Sequence, residues 1–247
     1  MKQYEAVIMT MERLGGIATL GQLYQEVFNI EDCVWNTRTP SASIRRIVQT
    51  NNKIYKIKPG LYALESYRRR LEARGIITET SENRNSEEVR LFNHTYYQGL
   101  LITIGNLRNY KTFAPNQDKN KRFANHTIGD IRNLQSIPNY TYDNLVRRSS
   151  TIDVIWFNER NMPSSFFEVE YSTDFQNSLI KFSDLQDFNA RMYIVADKKR
   201  YNEFQSKLQF NSFSGLRQNG RVLFLSFEEL EKQYQQEVER ASFGTIL

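Results

Sequence analysis

The stretch TIDVIWFNERNMPSSFFEVEYST, residues 151–173, decides the fold. Ile152, Val154 and Trp156 alternate with Asp153 and Ile155, and Phe167, Val169 and Tyr171 alternate with Glu168 and Glu170, which is the period of two that strands require. The intervening ERNMPSS supplies Asn, Pro and Ser, the residues of a turn that folds the second strand back beside the first. Glu168 and Glu170 then share a face, and Asp153 stands at the same edge of the hairpin. Charged groups inside runs as apolar as IDVIW and FFEVEY cost several kcal/mol unless paired or bound to metal.

Three hard carboxylates in this arrangement outline a divalent-cation site for Mg²⁺, with Mn²⁺ as the alternative, and such ions serve phosphodiester hydrolysis. The region resembles the PD-(D/E)XK nuclease superfamily, whose pattern is Asp, a spacer, then Glu-x-Lys. The resemblance places Asp153 at the Asp and Glu168 at the Glu. Glu170 stands where the Lys usually is, as it does in some restriction enzymes of that superfamily. Lys181, 11 residues further on in an expected helix, is the candidate to supply the positive charge. Catalytic candidates are therefore Asp153, Glu168, Glu170, Lys181 and Gln98, with the first three as metal ligands. Such domains often add a Glu from the first helix; Tyr96 occupies that position here and Gln98 lies one helical step away, where it either orients a metal-bound water or satisfies a neighbouring backbone group.

Around the hairpin, HTYYQGLLITIGNL (94–107) reads as an apolar helix and YKTFAP as a strand, followed later by RMYIVADK, a polar helix from Arg200, RVLFLSF and a last helix beginning at Phe227. Strands alternating with helices give an α/β domain with a central mixed sheet. In order, these segments resemble restriction-endonuclease-like proteins. Asp118, in PNQDKNKRF, reads as part of a basic loop, whether it grips a substrate or simply lies on the surface. Ser172 and Thr173 are the expected caps of the helix that follows.

The N-terminal segment has a different pattern. Tyr4, Val7, Ile8, Met11 and Leu14 recur at helical spacing up to Gly15 and Gly16; Thr19 caps a second helix; Thr39 and Pro40 open a third, SASIRRIVQT. KIYKIK, the turn Pro59-Gly60 and LYALE then form a hairpin. Three helices and a hairpin are the order of a winged helix-turn-helix, and TPSASIRRIVQTNNKIYKIKPGLYAL resembles the winged-helix modules called HARE-HTH. The resemblance implies a helix lying in the DNA major groove, with Ser41, Ser43, Arg45, Arg46, Gln49 and Asn51 as contacts and Lys53, Lys56 and Lys58 along phosphate. Winged helices also dock proteins. The expected organisation is thus a winged helix at 1–67, a charged linker at 68–90 and a nuclease-like domain at 91–247.

Composition sets the outer bounds. The chain carries a net charge of +5, one cysteine and two histidines. One cysteine precludes an intramolecular disulfide, and three such residues are too few for a structural zinc site. The N-terminus has no cleavable apolar core and no run approaches the roughly 20 apolar residues of a membrane span. These features point to a cytoplasmic protein, and the charge alone decides little about its partner; the resemblances imply double-stranded DNA. The resemblance implies a magnesium-dependent, site-specific endonuclease, with a homodimer as the default for cutting both strands. The alternatives are a modification-dependent restriction enzyme and a DNA-binding regulator with an inactive nuclease-like domain.

Overall fold

The computed structural model describes residues 1–244, which divide into two compact units: Met1–Phe92 with the chain from Gln235, and Asn93–Tyr234.

In the first unit, helix α1 (Gln3–Arg13) ends where Gly15 and Gly16 take positive φ, +81° and +88°. Strand β1 (Ile17–Thr19) precedes helix α2 (Leu20–Glu26), whose first turn is closed by the expected cap: the Gln22 backbone N–H donates to Thr19 Oγ1 at 3.2 Å, and Gln22 Oε1 accepts from the Thr19 N–H at 2.9 Å. Helix α3 (Pro40–Thr50) buries Ile44 and Val48. Strands β2 (Ile54–Lys58) and β3 (Leu61–Leu64) form the expected hairpin across Gly60, φ +84°. The sheet has one strand more than the two expected, because β1 pairs antiparallel with β3 and the order becomes β1-β3-β2. Helix α4 (Arg68–Glu72) follows. The charged stretch beyond it is held by ion pairs, Lys58 to Glu79 at 3.2 Å and Arg84 to Glu79 at 3.1 Å.

Helix α5 (Glu87–Leu107) starts seven residues before the apolar run that announced it. Its first turn carries Glu87 and Glu88, acidic side chains that suit a helix N-terminus, and it already buries Val89 and Phe92.

The second unit holds a five-stranded mixed sheet. Strand β4 (Lys111–Phe113) is followed by a small ribbon, β5 (Arg122–Phe123) with β6 (His126–Thr127), and by helices α6 (Ile128–Ile131) and α7 (Asp143–Ser149). Then come β7 (Val154–Phe157), β8 (Pro163–Glu170), helix α8 (Phe175–Asp184), β9 (Arg191–Ala196), helices α9 (Tyr201–Leu208) and α10 (Ser214–Asn219), β10 (Val222–Ser226) and helix α11 (Phe227–Phe243). The sheet order is β10-β9-β8-β7-β4, parallel from β8 to β10 and antiparallel from β8 to β4.

Both sheet faces are covered. On one, Ile155, Phe157, Phe166 and Ile194 pack with Phe175, Leu179 and Phe182 of α8. On the other, Phe167 stacks on Tyr193 with ring centroids 4.9 Å apart, and Trp156 Nε1 donates to Leu101 O of α5 at 3.1 Å. α5 comes close to its neighbours through glycine: a Cβ at Gly99 would stand 2.2 Å from the Phe123 ring, and one at Gly105 2.5 Å from Trp156 Nε1. Among the described residues no helix is long and apolar enough to cross a membrane.

Candidate active site

The hairpin register sets the site. Val154 pairs with Phe167, so one step further Asp153 faces Glu168 across the strands, and the Asp153 N–H donates to Glu168 Oε1 at 3.3 Å. Asp153 lies just before β7 rather than within it. Glu168 and Glu170 project from the face of β8 that α8 covers. Ser178 of α8 donates to both, to Glu168 Oε2 at 3.1 Å and to Glu170 Oε1, and Thr173 donates to Glu170 Oε2. Lys181, one turn along α8 from Ser178, places Nζ 2.8 and 3.0 Å from the two oxygens of Glu168 and 2.9 Å from Thr151 O. A cavity of about 470 Å³ opens beside these groups, lined among others by His94, Arg148, Asp153, Glu168, Glu170 and Lys181.

Electrostatics follow from burial. Glu168 is 3% exposed and Glu170 6%. Burial, reinforced by the Asp153 charge, pushes Glu168 up to about 8 in spite of Lys181. Burial also raises Glu170, against the hydrogen bonds from Ser178 and Thr173. Asp153 goes the other way. Burial opposes its charge, but His94 and the Val169 N–H, which donates to Asp153 Oδ2 at 2.8 Å, hold it below its ordinary value. His94 gains correspondingly: burial disfavours its charge, but the Asp153 carboxylate, 3.2 Å from Nε2, raises it.

His94 is the site residue that sequence reasoning missed. Its signal was present, since it is one of two histidines and lies one helical turn before Gln98 on the helix expected to contribute to the site. Gln98 is fully buried, and its Nε2 donates to Asp153 O at 2.8 Å and to Asp118 Oδ2 at 2.9 Å. It thus fixes the backbone of Asp153. Gln98 Oε1 and His94 Nδ1 are buried without a hydrogen-bond partner among the described residues. The neighbouring Tyr96 is buried against Tyr97 and Phe123.

Two expectations are corrected in this unit. Asp118 is not on a surface loop: it is 2% exposed and pairs with Lys121 at 2.6 Å, because Gln98 draws its carboxylate inward. The cap of α8 is neither Ser172 nor Thr173 but Asp174, which accepts from the Gln176 N–H at 3.0 Å while Thr173 turns to Glu170.

The donor set matches a hard divalent cation in kind: carboxylate oxygens, with Glu168 raised to about 8 by burial and by the Asp153 charge, which a cation would offset. Among the described residues, no three His, Cys, Asp or Glu side chains converge on one point. Each carboxylate instead faces donors of the protein: Asp153 the Val169 N–H, Glu168 Lys181 and Ser178, Glu170 Ser178 and Thr173.

Residues 76–245 match the family model described as the type II restriction enzyme NmeDI C-terminal domain. The chain belongs to this restriction-enzyme domain family. The match takes in more than two thirds of the 247 residues, including every strand of the mixed sheet and every residue of the carboxylate site. No curated protein and no solved structure matches the chain.

In the first unit, three of the expected DNA contacts are engaged within the unit, Ser41 and Lys58 buried and Arg45 half-exposed. Ser41 is buried, and its Oγ donates to Glu239 Oε1 at 2.6 Å. Arg45 Nη2 donates to Glu239 Oε2 at 3.2 Å and to the Tyr24 hydroxyl at 3.3 Å. Lys58 is 8% exposed and paired with Glu79, because the segment expected to be a linker folds over it. Ser43, Arg46, Gln49, Asn51, Lys53 and Lys56 remain exposed or half-buried.

Proposed function

We propose that this member of a restriction-enzyme domain family is a magnesium-dependent, site-specific endonuclease that hydrolyses phosphodiester bonds of double-stranded DNA. The observation that carries the reading is the pairing of Asp153 with Glu168 across the hairpin, with Lys181 at 2.8 Å, beside an open cavity. Acid, acid and ammonium converge as in the PD-(D/E)XK pattern, with the lysine brought by a helix instead of the strand.

Asp153, Glu168 and Glu170 would hold Mg²⁺ or Mn²⁺, which when bound supplies a polarised phosphate and an activated water. The remaining work belongs to the chain. Gln98 fixes the backbone at Asp153, and His94 orients its carboxylate. Glu170, whose proton affinity burial raises, completes the shell or accepts a proton from the attacking water. Lys181 faces the charge that develops on the phosphate. The first unit, read as a winged helix, selects the site through the open residues of α3 and the Lys53 and Lys56 wing, and a homodimer supplies two such sites, one per strand.

A second reading has a specific observation behind it. Among the described residues no three His, Cys, Asp or Glu donors converge, and Lys181 covers Glu168, as expected of a nuclease-like domain retained as a DNA-binding regulator. The separating experiment incubates the chain and Asp153→Ala with unmodified and methylated plasmids, in Mg²⁺ or EDTA. Discrete fragments that need both metal and Asp153 support the endonuclease, and cutting of methylated DNA alone makes it modification-dependent. Tight sequence-specific binding without cutting supports the regulator.

A further inference from the structure

A second cavity, of about 440 Å³, opens at the same end of the sheet as the carboxylates. It is lined by Lys198, Lys199, Tyr201, Asn202, Phe224, Ser226 and Glu229. Glu170, Ala196 and Ser226 are aligned across β8, β9 and β10, so both cavities lie beyond the carboxyl ends of parallel strands, where open α/β sheets take their ligands. The turn that carries the two lysines is fastened to the carboxylate strand. Arg200 donates to Glu170 O at 3.1 Å and to Thr173 O at 2.6 Å.

The chemistry of the lining is specific. Tyr201 and Phe224 meet edge to face, with centroids 5.3 Å apart, and Tyr201 is 46% exposed, so its ring is not consumed by the core. Asn202 presents an amide able to read a base edge. Glu229 is held by the Ser226 N–H at 2.9 Å and its Oγ at 2.7 Å, a fixed acceptor for an exocyclic amine. Lys198 and Lys199, both exposed, add two cations to the lining. An aromatic platform, two polar edge-readers and a pair of cations describe a nucleotide that carries its phosphate.

We propose that this cavity is a nucleotide subsite, which takes one base of the DNA against Tyr201 and Phe224 while Lys198 and Lys199 hold the adjoining phosphate. It rests on the endonuclease reading for its substrate, and it places the strand next to the carboxylates by way of Arg200.

The test measures affinity of the full chain for a fluorescent duplex, a fluorescent single strand and a mononucleotide, all in EDTA, over a range of salt. Tyr201→Ala should weaken DNA binding roughly tenfold and Tyr201→Phe should restore it, as expected of stacking. The double change Lys198→Ala with Lys199→Ala should flatten the salt dependence by a slope of about 0.7 to 0.9, the counterion release of one neutralised phosphate. DNA binding unchanged in both variants overturns the subsite, as do losses confined to the mononucleotide. Because no cutting is read, Tyr201-dependent binding by a chain that never cleaves keeps the subsite and removes only the endonuclease reading. Asp153-dependent cleavage with normal Tyr201→Ala binding does the reverse.

Discussion

Lys181 Nζ lies 2.8 Å from Glu168 Oε2, and it reaches that carboxylate from a helix, 13 residues further along the chain. The ammonium is the one cation at hydrogen-bond distance from Glu168 among its described contacts, and even so the carboxyl sits near 8. Replacing Lys181 by Met should therefore raise the Glu168 proton affinity further and reduce DNA cleavage by about 10² or more, the scale of losing one transition-state charge donor. Single-turnover cleavage checks this, and an unaltered rate would remove Lys181 from the chemistry.

Stability should fall as pH rises in the absence of metal. Glu168 is raised from 4.5 to about 8, so the folded chain holds a proton that the unfolded chain releases. Its contribution is full below 4.5 and is lost as pH climbs through 8. His94 acts in the same direction: raised above 6.5, its contribution is full below that value and fades at higher pH. Asp153, lowered from 3.8, is lost only at acid pH outside this window. Thermal melts between pH 5 and 8 should show a declining Tm that Glu168→Gln flattens. Added Mg²⁺ should stabilise more at pH 8 than at pH 6, and an identical slope in the variant would contradict the assignment.

Glu239 occupies two side chains of α3 that a reading helix would present to DNA. Arg45 and Glu239 are 38% and 40% exposed, so the pair contributes at most about 1 kcal/mol to stability. Glu239→Gln should leave the melting temperature nearly unchanged and tighten DNA binding severalfold by releasing Arg45. Fluorescence anisotropy at fixed salt checks it, and weakened binding would mean that the contact holds the helix in its productive form.

Gly99→Ala should cost about 1–3 kcal/mol, because the added methyl would collide with the Phe123 ring at 2.2 Å. A urea midpoint measures the loss. Since His94 and Gln98 ride on the same helix, any shift that relieves the clash should also move the groups that hold Asp153, and cleavage should fall more than stability alone explains.

The carboxylate hairpin was legible because period-two alternation and turn chemistry are local. Lys181 was legible as a positive charge on the next helix, where its distance to Glu168 depends only on one short connection. His94 and Asp118 were not, because their roles arise when α5 lays one face against the hairpin, a contact that no spacing in the sequence encodes. The same holds for Ser41 and Arg45: helical periodicity turns them outward, but their partner Glu239 stands 198 and 194 residues away. Strand β1 escaped notice for a related reason, being three residues long and recognisable only by its pairing with β3.

The lysine and the acids of this site sit on separate pieces of secondary structure, and that separation has a mechanical consequence. Where the lysine shares the strand, its spacing to the acids is set by covalent bonds; here it is set by how α8 seats, through Asp174 at its start and the Asp174 to Lys207 ion pair at 2.9 Å. Ser178 rides on the same helix and is bonded to both Glu168 and Glu170, so the seating of α8 sets the ammonium and the hydroxyl together. The charge balance of the centre is therefore a property of helix packing rather than of strand spacing.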